Sequence, residues 1–441
     1  MSHLLKGDKK LLNAWAFYDW ANSAYPLVIS SAIFPIFYNA LFDAKNPYLT
    51  VFGYHFKNSA LISFVTAVGF LVVAFISPLL SGIADYVGNK KSFMQFFCYL
   101  GALSCIGLNW FSLDSIYFGL LCYFLGLIGF WGSLVFYNSY LPDIAYPEQQ
   151  DAISAKGYSL GYFGSVLLLM VNLGMVMQPE AFGISNTSGS AAIKAMQYSF
   201  VTVGIWWIVF SQYTYYYLPK GNRSTSKKVT TSILFNGFKE LKTVWAIVKQ
   251  NVILQGYLRS FFVYSMAVQT VMLIATYFGA QEIAWSSESE STTGLIICIL
   301  VIQLVAIAGA FITSYASAKF GNIPTLVAIN SFWVLLCIAA YFITQPFEFY
   351  IMAGLVGLVM GGIQSLSRST YSKLLPETKD TASFFSFYDV AEKIGIVIGM
   401  LVYGLIDQIT GSPRFAIVFL ALFFLTGVVL LIQLHKKTKL T

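Results

Sequence analysis

Charged side chains stand inside long apolar stretches, among them Asp19, Arg368, Asp389, Glu392 and Lys393. Charge in a hydrocarbon slab is costly, so such residues mark routes for ions, protons or polar solutes unless a neighbour neutralises them. Asp19 belongs to a polar stripe, because Trp15, Asp19, Asn22, Ser23 and Pro26 recur at helical spacing on one face. By helical rise, Asp19 lies roughly 10 Å and Asn22 roughly 15 Å from the nearer end of that helix. A lone buried carboxyl can alternate between charged and neutral forms, which makes Asp19 the candidate proton-linked group. If Lys393 approaches it, the two become a paired switch. Asp389 and Lys393 are also one turn apart and can pair with each other, beside Tyr388 and Glu392. Gln364, Ser367, Arg368 and Tyr371 share another helical face, with Arg368 close enough to the helix end to snorkel. Gln269 and Gln303 add amides that can bond a solute or a neighbouring helix, and Arg259 reads as interfacial.

Other chemistries find no residues. The chain has no HExxH zinc motif, no Ser-His dyad and no pair of catalytic acids with water access, so no enzyme is expected. His3, His55 and His435 lie outside the apolar stretches. Cys98, Cys105, Cys122, Cys298 and Cys337 lie inside them without metal-ligand spacing. Neither a metal, a cofactor nor a disulfide framework is expected. The formal charge of +7 comes from short basic runs beside apolar stretches, which excludes nucleic-acid binding as the explanation.

The elements that hold these residues follow from hydropathy. Of 441 residues, 57% are hydrophobic and only 10% charged, with a mean hydropathy of +0.70. A soluble protein carries about 25% charged residues. About 20 apolar residues cross a bilayer as a helix, and twelve segments qualify: 13–41, 59–84, 93–111, 115–141, 155–177, 197–218, 252–279, 293–318, 325–344, 347–373, 382–409 and 413–434. The expected fold is therefore all-α and membrane-embedded, with a six-helix bundle over 1–218, a linker over 219–251 and a second six-helix bundle over 252–441. In the linker, Leu234, Phe238, Leu241, Trp245 and Val248 recur at helical spacing, the pattern of a helix lying in the membrane interface. The first residues, MSHLLKGDKK, are too polar for a signal-peptide core.

Lysine and arginine concentrate at the N-terminus, at Lys90 and Lys91, in the linker and at the C-terminus, whereas 280–292 carries three glutamates and no base. Positive residues flanking spans stay in the cytoplasm, so both termini are expected there. Asn186-Thr187-Ser188 on the opposite side fits a glycosylation sequon.

The halves repeat each other. Span four holds Gly126 and Gly129 and ends Leu141-Pro142-Asp143; span ten holds Gly354 and Gly357 and ends Leu375-Pro376-Glu377. Repeated halves place a solute site between them that can open to each side in turn.

Between spans two and three stands Ser81-Gly82-Ile83-Ala84-Asp85-Tyr86-Val87-Gly88-Asn89-Lys90-Lys91. It resembles the loop signature of the major facilitator superfamily, and the resemblance implies a latch: Asp85, with Gly88 and Lys90, pairing with a base or helix N-terminus of the other half. The related stretch Ser314 to Pro324 has Ala318 where the acid would stand, so only the first copy is expected to act. Further motifs are Trp15-Ala-Phe-Tyr18-Asp19-Trp20-Ala21-Asn22-Ser23-Ala24-Tyr25, Phe136-Tyr137-Asn138, Gly157-Tyr-Ser-Leu-Gly161-Tyr162, Gly361-Gly362-Ile-Gln364-Ser365-Leu-Ser367-Arg368-Ser369 and Phe384-Phe385-Ser-Phe387-Tyr388 with Lys393. These resemble the vacuole-effluxer branch of that superfamily, related to fungal autophagy-associated amino-acid effluxers and bacterial relatives. Met266-Ala267 stands where relatives often carry Asp-Gly.

The resemblance implies the major facilitator fold, with spans two, five, eight and eleven forming the contact between halves. Small residues at Gly157/Gly161/Gly164, Gly309/Thr313 and Gly395/Gly399 are expected to serve that contact. It implies a monomeric secondary transporter of a small polar organic solute, in a bacterial inner membrane, with amino-acid efflux as leading function and protons as possible co-substrate. A lipid or lysolipid flippase and a non-transporting sensor are the alternatives. The expected cavity residues are Tyr18, Asp19, Asn22, Tyr25, Asn138, Gln269, Gln364, Arg368, Tyr388 and Lys393.

Overall fold

The computed structural model describes residues 4–42, 48–51, 53–185, 191–219 and 231–439; the sequon at Asn186, His3 and the polar run 220–230 lie outside the described residues. Apolar runs form helices in a bilayer because backbone polar groups find no water there. Among the described residues, ten helices are long and apolar enough to cross a membrane: Asn58–Val87, Lys90–Trp110, Ile116–Ile144, Pro147–Met177, Ala191–Tyr217, Val252–Glu282, Glu290–Phe320, Asn322–Ala340, Pro346–Leu374 and Pro413–Thr438. They are spans two to six, seven to ten and twelve. The eleventh, Thr381–Thr410, carries the buried Asp389 and Lys393.

The first span is not the single helix expected over 13–41. It consists of an α-helix Lys9–Asn22, a π-helical stretch Tyr25–Ile33 and an α-helix Phe34–Ala40. Pro26 and Pro35 explain the interruption, since each ring removes a donor and crowds the carbonyl one turn back. Asp8 caps the start by accepting from the Lys10 and Leu11 N–H groups.

Two cores hold two bundles. One buried apolar cluster draws on residues from Leu11 to Leu218, with Ala382 added; the other draws on Val244 to Leu434, with Tyr162 added. The seam between them is formed by span two against eleven, span five against eight and ten, and span four against eleven. We call the end of the bundles that carries the N-terminus, the Gly88 turn and the start of span eleven the inner end.

Of the small residues in these stripes, Gly157 serves that seam and the others do not. A Cβ at Gly157 would meet Asp19 of span one and, at 3.1 Å, Arg368 of span ten in the other bundle, whereas one at Gly161 would meet Ser23 and one at Gly164 Trp20, both on span one of the same bundle. Gly309 faces Leu358 of span ten, while Gly395 and Gly399 face Met266 of span seven. Small residues permit close approach but do not say to which neighbour, and here all but Gly157 tighten each bundle internally. The aromatic residues also depart from a purely lipid-facing role. Trp15, Tyr18, Tyr25, Tyr137, Trp207, Tyr257, Tyr264 and Tyr371 are almost wholly enclosed.

The linker contains a separate helix, Thr231–Gln250. Asn251 ends it and caps span seven by accepting from the Leu254 N–H. Its buried Val244 and Val248 and the ring of Trp245 face protein, with Trp245 stacked on Phe387 of span eleven.

Candidate functional site

Arg368 does not snorkel. It points into the seam with its side chain 2% exposed and meets Asp19 Oδ2 at 3.3 Å, joining span ten to span one. Its Nε donates to Ser154 Oγ at 2.9 Å; one terminal nitrogen reaches Asp19 and Asn138, the other Asp19 and the Ser154 carbonyl. A guanidinium has five N–H donors, and these five contacts occupy them all. The rings of Trp15, Tyr137 and Tyr158 surround the guanidinium carbon at 4.8, 5.4 and 4.2 Å. Tyr137 donates to Asp19 Oδ2 at 2.8 Å, and Trp15 is fixed by donating to the Tyr137 carbonyl. Gly157 leaves the space for this pair, because a Cβ there would stand 2.5 Å from Asp19 Oδ2.

Lys393 does not approach Asp19. Its ammonium bonds Asp389 at 2.8 Å and Glu392 at 2.9 Å and sits 3.5 Å from the centroid of the Trp131 ring of span four. Asp389 also accepts from Ser77 of span two, and Glu392 from Gln269 of span seven. Two acids share one base, so this centre carries one surplus negative charge when all three are ionised. Glu392 is its most open member, at 16% side-chain exposure against 1% for Lys393 and 8% for Asp389. Between the two centres, Tyr162 donates to Gln364 at 2.6 Å across the seam. Tyr388 stacks on Phe261 with centroids 4.0 Å apart.

At the inner end Asp85 reaches the N-terminus of span eleven, accepting from the Ala382 N–H, the Ser383 N–H and the Ser383 hydroxyl. A helix N-terminus presents unpaired donors and partial positive charge, so it receives an acid as a base would. Gly88 makes the turn possible: its φ of 66° ends span two in the left-handed region. Lys90 is not merely a loop base; it pairs with Asp143 of the first bundle at 2.5 Å and donates to Thr381 of the second.

The second copy of the loop is also engaged, contrary to expectation. Ala318 contributes no acid, but Asp151 of span five arrives from the other bundle. It accepts from Ser317 at 3.0 Å, Asn322 at 2.9 Å and Lys373 at 2.6 Å.

Of the expected cavity residues, Asp19, Asn138, Gln364 and Arg368 converge on the seam, while Gln269, Tyr388 and Lys393 gather around span eleven. Tyr18 and Tyr25 point elsewhere. Tyr18 packs on Tyr137 and Tyr215, and Tyr25 on Phe130 and Trp207, all within the first bundle. Asn22 is buried and accepts from Ser23 beside it. Sequence reasoning missed Tyr158, Ser154, Asp143, Asp151 and Lys373. Asp143 stood in the repeated span end and Tyr158 in the motif over 157–162, and nothing in spacing alone ties any of the five to residues more than a hundred positions away.

The chain as a whole is similar to known proteins. The profile of a family described as vacuole effluxer Atg22 like matches residues 7–440. The MFS-type transporter YxiO of Bacillus subtilis (strain 168) is 29% identical over 99% of this chain and 97% of its own length. Autophagy-related protein 22-2 of Aspergillus oryzae is 24% identical, over 86% of this chain and 75% of that protein. Among solved structures, the E. coli fucose:proton symporter FucP matches with a TM-score of 0.67 at 16% identity, covering 96% of this chain and 97% of that one. A bacterial homologue of the iron transporter ferroportin in an outward-facing state gives 0.64 at 13% identity, covering 97% and 98%. At these identities the two structures establish the fold alone, the major facilitator fold of two six-helix bundles.

Proposed function

This chain belongs to the Atg22-like vacuole effluxer family of major-facilitator membrane transporters, and from that premise we propose that it exports a small polar organic solute, an amino acid or related metabolite, by alternating access. One observation carries the reading: Arg368 and Asp19 are buried, oppositely charged and contributed by opposite bundles. Removing one member of a buried pair costs several kcal/mol, so such a contact across a sliding seam separates two well-defined states. In the proposed cycle, units 1–218 and 252–441 rock about the seam while 219–251 ties them together. The inner end is the cytoplasmic end, with both termini there, in a bacterial inner membrane, and the working unit is a monomer.

The solute binds beside the pair, against Gln364, Gln269, Tyr388 and the span-eleven centre. Arg368, with every donor engaged, acts as a gate and not as an anion receptor in this state. The surplus charge near Glu392 is where a proton or a solute ammonium group would enter.

Counterflow in proteoliposomes tests this. Vesicles preloaded with an unlabelled amino-acid mixture should accumulate labelled amino acid, and Arg368→Ala should lower the initial rate at least about tenfold. Absence of flux for every amino acid and amine offered would sink the reading. Transfer of a fluorescent lipid between leaflets in its place would make the protein a flippase.

A further inference from the structure

We propose that the connecting helix Thr231–Gln250 is a releasable clamp on the inner seam that stabilises the inner-closed state. The proposal rests on the alternating-access reading above. The helix is a separate rod, because Asn251 interrupts it from span seven.

The rod lies across both bundles. Its backbone runs against span two of the first bundle and against spans seven and eleven of the second. Trp245 stacks on Phe387 with ring centroids 5.5 Å apart and planes 5° from parallel, and Lys249 sits over the same indole at 5.4 Å. Val244 and Val248 are buried. Phe387 is one helical turn beyond Ser383, the residue that donates to Asp85. The rod therefore covers the same seam that the Asp85 contact closes.

Opening the inner end draws span two away from span eleven. A helix packed on both must release one of them, so its contacts count towards the closed state alone. Trp245 is still 41% exposed, so this contact can part without unpacking either core.

The test uses the full chain in lipid nanodiscs, spin-labelled at Glu148→Cys and Lys379→Cys. These are exposed inner-end positions on opposite bundles, and the five native cysteines are buried. Pulsed electron spin resonance should show the longer-distance population rising roughly two- to tenfold in Trp245→Ala, the range one aromatic pair represents. Trp245→Phe should keep the wild-type distribution, and Phe387→Ala should reproduce the alanine result without adding to it. An unchanged distribution in Trp245→Ala, while Asp85→Asn lengthens the distance, would overturn the clamp and leave the transport reading intact. No change in either variant would overturn both.

Discussion

Asp19 and Arg368 are 349 positions apart in the chain and 3.3 Å apart in the fold, and they form the most deeply buried ion pair described between the two bundles. Removing either side chain takes from the other its charged partner inside the seam. Arg368→Met or Asp19→Asn should each lower stability by about 3–5 kcal/mol and reduce counterflow. The double variant should recover part of the stability but not the transport. Thermal unfolding in detergent, read with counterflow rates, gives the coupling; fully additive losses would show that the pair is not energetically linked.

Asp85→Asn should leave expression within about twofold and raise labelling of a cysteine placed on the inner side of the seam. The carboxylate accepts from two backbone N–H groups and one hydroxyl, and an amide retains only one accepting oxygen and no charge to meet the helix terminus. Equal labelling in variant and wild type, with equal transport, would remove Asp85 from the gate.

Lys393→Met should leave Asp389 and Glu392 without their shared base and should abolish both uphill transport and exchange. Adding Glu392→Gln should restore folded yield by removing one of the two stranded charges. The check is the monodisperse fraction on size exclusion for the three variants; identical yields would mean that the lysine is not neutralising this centre.

Gly157→Ala should slow transport at least about tenfold while the protein still inserts. The new methyl would meet Asp19 Oδ2 and force the ion pair to shift, an overpacking cost of about 1–3 kcal/mol. Gly174 has no such close neighbour, so Gly174→Ala should be nearly silent in the same assay.

Reporter fusions at residue 225 and after Thr441 should both report cytoplasm, and one at residue 286 the opposite side. This follows from the bias of lysine and arginine across the loops. An external signal at 225 would reverse the orientation.

Span positions were legible because a bilayer dictates length. Most boundaries fall within a few residues of those read from hydropathy, as for 252–279 against Val252–Glu282. For Asp85 the resemblance left two partners open, a base or a helix N-terminus of the other half, and the contact found is with the N-terminus of span eleven. What the sequence left open was pairing over distance. Asp19, Arg368 and Lys393 all announced themselves as membrane-embedded charges, but helical spacing fixes partners only within one helix, as for Asp389 and Lys393. The charge on Asp151 lay in an ordinary polar stretch, and its engagement with the second loop depends on how two bundles dock. The glycine stripes failed for the same reason: a missing side chain announces a close neighbour without naming it.

The interrupted first span has one more consequence, which concerns counting. A π-helical turn accommodates an extra residue relative to an α-helical one, so Tyr25–Ile33 sets the phase between the two ends of the span. At one end lies Asp19; at the other, Phe34 stacks on Tyr123 and Phe37 meets Phe200 edge-on. Deleting Ser31, an exposed residue of the stretch, would change the span's hydropathy hardly at all. Unless a π-helical turn tightened to an α-helical one to absorb the loss, it would turn one end against the other by about 100°, the rotation of a single α-helical residue. Either Asp19 or the outer aromatic cluster would then face the wrong neighbours, so this span is specified by its number of residues as much as by their kind.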